Sequence, residues 1–158
     1  MTPASQSVLE LKIPPPLVAL GIALLMWLTL RIVGPIDVPR MVRIGAALAF
    51  MVAGLGCDLV GLVVFLRANT TINPLKPAST TSLVVSGIYR ITRNPMYLGL
   101  MLILLGWATL LANGVAYLLA PLFVLYITRF QIVPEERMLL AKFGADFAAY
   151  QARVRRWL

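Results

Sequence analysis

The sequence predicts an all-α integral membrane bundle of about four transmembrane helices, with short helices at a cytosolic C-terminal end. Three observations predict it. Hydrophobic residues make up 60% of the chain and charged residues only 13%. The apolar residues fall in long runs, and the basic residues fall between and after those runs. A soluble domain carries about 25% charged residues to cover its surface, so lipid is the expected solvent here. At 158 residues the chain accommodates one domain.

The opening residues are mainly polar and end in Pro14-Pro15-Pro16. The apolar run that follows, residues 17–33, lacks a clear small-residue cleavage site and is expected to be a retained membrane helix. The second span is expected over residues 44–66. It carries Gly45, Ala49, Ala53, Cys57 and Gly61 at intervals of four, which predicts a stripe for close helix packing. Asp58 lies in the same span. A carboxylate at membrane depth needs a partner in the bundle or in water, so Asp58 reads equally as a substrate-site residue or a hydrogen-bond hub. The third and fourth spans are expected over residues 95–111 and 115–133, joined by Ala112-Asn113-Gly114 into an antiparallel hairpin. A bilayer core of about 30 Å takes about 20 helical residues, so the shorter runs sit at the lower limit.

An even number of spans puts both termini on one side. That side also holds the connection 67–94 and the tail 134–158, with eleven of the fourteen Lys and Arg; Arg31, Arg40 and Arg43 lie opposite. Positive residues are retained in the cytoplasm, so both termini are expected there, in a bacterial inner membrane. The net charge of +8 is thereby explained by orientation, and no nucleic-acid partner is expected. The chain has no histidine, and Cys57 is its single cysteine. The commonest general base and metal ligand are missing, no intrachain disulfide can form, and no metal site is expected.

The candidate chemistry lies in two polar runs. The first surrounds Ser86-Gly87-Ile88-Tyr89-Arg90-Ile91-Thr92-Arg93-Asn94-Pro95-Met96-Tyr97. Asn94 suits an N-cap and Pro95 the first helical position. The free N–H groups of the helix start, together with the Arg93 charge, predict an anion site at the membrane surface. Gly87, Tyr89 and Tyr97 make the run denser than interfacial anchoring requires. The second run is Arg129-Phe130-Gln131-Ile132-Val133-Pro134-Glu135-Glu136-Arg137. Pro134 is expected to restart a helix with Glu135 and Glu136 in its first turn, and Phe143-Gly144 to stop it.

Together these runs resemble the family of isoprenylcysteine carboxyl methyltransferases and the related phospholipid methyltransferases. The resemblance rests on Leu83-Val84, Ser86-Gly87-Ile88-Tyr89, Arg93-Asn94-Pro95-Met96-Tyr97-Leu98-Gly99, the helical hairpin, Glu135-Glu136, and Phe143-Gly144 followed by Phe147 and Tyr150. It covers roughly residues 69–158, and the motifs keep their order. Asn94 stands where the family has histidine, Phe147 replaces a tyrosine, and Gln131 lies nearest a substrate-associated arginine, with Arg129 two residues away.

The resemblance implies a membrane methyltransferase using S-adenosyl-L-methionine, with Leu83, Val84, Tyr89, Asn94, Pro95, Tyr97 and Glu135 lining the cofactor pocket. Gly87 and Arg93 belong to the same candidate set. The acceptor would be a lipid-like or small amphipathic molecule entering from the bilayer. Arg129 would hold an anionic part of it, and Glu136 is the candidate catalytic carboxylate. Two other classes compete: a small transporter built on Asp58, and a non-catalytic scaffold that uses the small-residue stripe and the basic tail. Neither accounts for the two polar runs together. The oligomeric state stays open.

Overall fold

The computed structural model describes residues 10–68 and 82–158. Among them are five α-helices and no strand: α1 (Pro15–Thr29), α2 (Arg40–Arg67), α3 (Pro95–Leu111), α4 (Gly114–Ile127) and α5 (Val133–Arg153). A 3-10 turn, Gly87–Arg90, precedes α3, and a π turn, Thr128–Ile132, joins α4 to α5. Two helices are long and apolar enough to cross a membrane: α2, and the continuous Gly114–Arg153. The other two apolar helices, α1 and α3, are shorter. The middle of the expected long connection, with Pro74, Lys76 and Pro77, lies outside the described residues.

Several expected boundaries move, each for a local reason. α1 ends at Thr29 rather than near residue 33, because the backbone there tightens to bonds three residues back, from the Leu30, Arg31 and Ile32 amides to the Trp27, Leu28 and Thr29 carbonyls. α2 begins at Arg40, directly after Pro39, and so takes Arg40 and Arg43 into its first turns. Pro134 does not restart a helix. It sits in the first turn of α5, and the chain passes through the π turn without leaving the helix. Gly144 does interrupt α5: its φ of 51° and ψ of −121° suit glycine alone.

Contact between α2 and α3 dominates the packing, and small residues set it. A Cβ placed on Gly54 would come within 2.7 Å of the Gly99 carbonyl, and one on Gly99 within 2.7 Å of the Gly54 carbonyl. A Cβ on Gly106 would lie 3.0 Å from the Ala47 carbonyl. The seam on α2 is therefore Ala47, Gly54 and Gly61, its buried residues. This corrects the expected stripe of intervals of four. Four residues overshoot a turn by about 40°, so such a stripe winds around the helix, whereas steps of seven stay on one face. Gly45 meets nothing, Ala49 and Ala53 are exposed, and only Gly61 of the stripe joins the seam.

Asp58 packs directly against Gly99, where a Cβ would fall 2.1 Å from its Oδ1. That oxygen is buried with no hydrogen-bond partner among the described residues.

The hairpin turn forms as the sequence predicts. Ala112 adopts a left-handed conformation (φ 50°), and Asn113 caps α4 by accepting from the amides of Val115 and Ala116 at 2.9 and 3.3 Å. Its amide donates to the Val33 carbonyl at 2.7 Å, which fixes the end of α1. Trp107 of α3 donates to the Ala23 carbonyl of α1 at 3.0 Å. Leu20, Leu24, Leu48, Val52, Leu55, Leu59, Leu118 and Leu125 point outward. An outer surface of that kind belongs in lipid, and the chain is a membrane protein.

Gly99→Ala is expected to cost about 1–3 kcal/mol, as overpacking does. Thermal unfolding in detergent should show a lowered midpoint.

Candidate active site at the entrance to the third helix

The two polar runs meet at one end of the bundle. Tyr97, in the first turn of α3, donates to Glu135 Oε1 at 2.6 Å. Gln131, on the π turn, donates to the same oxygen at 2.8 Å. Gln131 and Tyr97 are buried, and burial pushes the Glu135 carboxyl up to about 7, against the pull of those two donors. Both bonds fall on Oε1.

Tyr89 completes the cluster. Gly87 enters the 3-10 turn at φ +59°, a conformation that favours glycine, and so turns Tyr89 inward. The Tyr89 ring packs edge-on against Phe65 of α2, with centroids 5.2 Å apart. Its hydroxyl is buried, without a hydrogen-bond partner among the described residues, and adjacent to Gly61, where a Cβ would lie 3.6 Å away. Burial raises the Tyr89 hydroxyl pKa, and the nearby Tyr150 and Glu135 add to it. Val84 is buried and Leu83 half-buried in the segment leading into this turn, and Pro95 packs toward Gly61.

The C-terminal segment closes over the cluster. Thr92 and Arg155 form an isolated parallel bridge, in which the Arg93 amide donates to the Arg155 carbonyl at 3.0 Å. Tyr150 donates to the Tyr89 carbonyl at 2.7 Å. Arg93 donates to the carbonyls of Gln151 and Val154 at 3.0 and 2.6 Å and to Glu136 Oε1 at 2.7 Å. Arg156 meets the other Glu136 oxygen at 2.7 Å. Burial alone would raise the Glu136 carboxyl, but its bonds to Arg156 and Arg93 bring it below its usual range.

Thus the structure gathers Tyr89, Arg93, Asn94, Pro95, Tyr97, Glu135 and Glu136, with Gly87 turning the chain into the group. Two expectations about the helix start are corrected. Asn94 holds the N-cap position, but its side chain makes no capping bond; its amide donates instead to the Arg156 carbonyl at 2.9 Å. Arg93 turns away from the helix start toward Glu136 and the tail. Both departures have one cause, the chain end docking beside them. Arg129 stands apart at the rim, half-exposed, with its guanidinium on Glu10 at 2.8 Å. Gln131, Thr92 and Arg156 were not among the candidates. Gln131 was findable, since it lies four residues before Glu135 on one helical face.

Comparison with known proteins bears on what such a site does. The phospholipid methyltransferase family matches residues 42–146, from α2 through the Tyr97–Glu135 pair to the Gly144 break. The chain belongs to the phospholipid methyltransferase family. An uncharacterized protein of Haemophilus influenzae is 49% identical over 63 residues, which are 40% of this chain and all of that protein. No solved structure matches the chain. Membership in the phospholipid methyltransferase family implies methyl transfer by a membrane protein and does not favour the transporter or scaffold readings.

Arg93→Lys keeps the charge but loses the planar fork. It is expected to raise amide hydrogen exchange across residues 150–157 in the folded, detergent-purified protein. Because the Glu136 pKa is depressed, its stabilisation is present above the ordinary value of 4.5 and is lost as pH falls through the lowered one. The same peptide should therefore open in acid, and Glu136→Gln should remove that pH dependence.

Proposed function

We propose that this protein transfers a methyl group from S-adenosyl-L-methionine to a lipid-like or small amphipathic acceptor at the cytosolic membrane face. In this reading α1, α2, α3 and the α4 segment cross the membrane, with both termini in the cytosol. The observation that carries it is the Tyr97–Glu135–Gln131 cluster, with an unpartnered Tyr89 hydroxyl beside it, inside the region matched by the phospholipid methyltransferase family.

The residues fit an adenosyl ligand. Glu135 Oε2 can accept from a ribose diol, and the buried Tyr89 hydroxyl, without a partner among the described residues, can take a further one. When bound, the cofactor supplies an electrophilic methyl group on a sulfonium. Tyr89 and Tyr97 offer aromatic faces that attract such a cation. Leu83, Val84, Gly87, Asn94 and Pro95 would form the surrounding wall. Holding donor and acceptor in line accounts for much of the acceleration in such a reaction.

Glu136 is neutralised by Arg93 and Arg156, so its role is to hold the pocket closed. An acceptor that must lose a proton passes it to Glu135 or to water. Arg129, at the rim, would meet an anionic part of the acceptor.

Titration of the detergent-purified protein with S-adenosylhomocysteine tests the cofactor assignment, and absence of heat from folded protein defeats it. Tyr97→Phe and Glu135→Gln each remove a bond involving a carboxylate and are expected to weaken binding about tenfold or more. Unchanged affinity in both variants removes the pair from the pocket. Glu135 carries a raised pKa, so without ligand its contribution to stability is present below 4.5 and lost as pH rises through about 7. A diol favours the carboxylate, so affinity should increase from pH 6 to pH 8, and Glu135→Gln should flatten that slope. Incubating membranes with methyl-labelled cofactor and identifying the labelled product would establish the acceptor.

A further inference from the structure

One contact outside the pocket reaches its most irregular backbone. Pro134 has no amide hydrogen, so the Phe130 carbonyl, four residues earlier, cannot receive the usual helical bond from it. The helix responds with the π turn, in which the Val133 amide reaches back to the Thr128 carbonyl. The Phe130 carbonyl is met from elsewhere, by the Leu11 amide at 3.0 Å. Leu11 adopts a φ of 57° to make that contact, a conformation costly for leucine.

The neighbouring side chain reinforces it. The Glu10 side chain is 8% exposed and spans two arginines, with Oε1 on Arg129 and Oε2 on Arg137. These arginines flank the pocket residues. Arg129 lies two positions before Gln131, and Arg137 two positions after Glu135. A strained backbone and a nearly buried carboxylate are thus both committed to the stretch from the π turn into the start of α5. That stretch carries Glu135, which accepts from Tyr97, and Gln131, which donates to the same Glu135 oxygen.

We propose that Glu10 and Leu11 form a strap that fixes the register of the π turn, which makes Glu10 a positioning residue for the adenosyl pocket. The strap is a feature of the chain's own fold. Its effect on ligand rests on the cofactor reading above. Glu10 meets the rim of the site at Arg129, and it reaches Gln131 and Glu135 through the backbone between Arg129 and Arg137. Through that stretch residues 10 and 11 govern how tightly a ligand is held beside Glu135.

The test compares wild-type protein with Glu10→Gln and Glu10→Asp, using hydrogen exchange over residues 128–137 and titration with S-adenosylhomocysteine. Glu10→Gln keeps size and polarity but removes the charge that spans both arginines. It is expected to speed exchange in that peptide and weaken binding about tenfold, as loss of about 1.4 kcal/mol would do. Glu10→Asp keeps the charge and should recover most of both. Exchange and affinity in Glu10→Gln equal to wild type would overturn the strap, as would an aspartate variant no better than the glutamine one. If wild-type protein binds no ligand while Glu10→Gln still loosens the peptide, the strap stands and the cofactor reading fails.

Discussion

Taking a guanidinium out of water is costly unless its donors are met, and Arg93 meets most of that cost with three acceptors from two parts of the chain. One terminal nitrogen holds the carbonyls of Gln151 and Val154; the other holds Glu136. Its side chain and that of Glu136 are only 11% and 12% exposed. Within this region of reduced dielectric, partners that would exchange freely with water at a surface become a fixed joint. The start of α3, the start of α5 and the chain end are referred to one point. The Tyr97–Glu135 pair inherits its spacing from that joint, since each member lies within four residues of Arg93 or next to Glu136.

A second constraint comes from inside the bundle. Gly54, Gly99 and Gly106 let α2 and α3 approach until backbone meets backbone, and Gly61 makes room for the side chains of Pro95 and Met96. In lipid, where no hydrophobic force draws helices together, such close packing is the main source of association. It also fixes the height of Tyr89 relative to Tyr97, because Tyr89 rests against Phe65 and Gly61 of α2 while Tyr97 belongs to α3. The Tyr89–Tyr97–Glu135 cluster thus lies between the glycine seam and the Arg93 joint.

Much of the bundle was legible from run lengths. Apolar stretches, the Asn113 turn and the Gly144 break each rest on local physics: helix length, a side-chain cap, and a backbone angle only glycine tolerates. The pairing of Tyr97 with Glu135 was legible only through the order of motifs, since the two are 38 residues apart and no local rule joins them. What stayed hidden depended on tertiary competition. Asn94 was placed correctly as a cap position, yet the nearby Arg156 carbonyl took its side chain. Arg93 resembled an anion ligand until a carboxylate of the same chain was found to occupy it. The period of the α2 seam was misjudged because small residues occur on several faces of that helix, and only the partner helix selects among them. The π turn was signalled by Pro134, but whether the helix breaks or absorbs the defect depended on Leu11, 119 positions upstream of Phe130.

The clasp over the pocket is made largely through main-chain oxygens: those of Gln151, Val154, Arg155 and Arg156 accept from Arg93 and Asn94. Carbonyls are common to every amino acid, so substitutions along this tail can accumulate with little effect on the seal, apart from the Arg156 side chain. A change in chain length is another matter. One residue inserted or deleted between Tyr150 and Arg156 would displace these acceptors by a backbone step while the Tyr150 anchor stayed put. Descendants of this chain should therefore diverge freely in tail composition while conserving tail spacing.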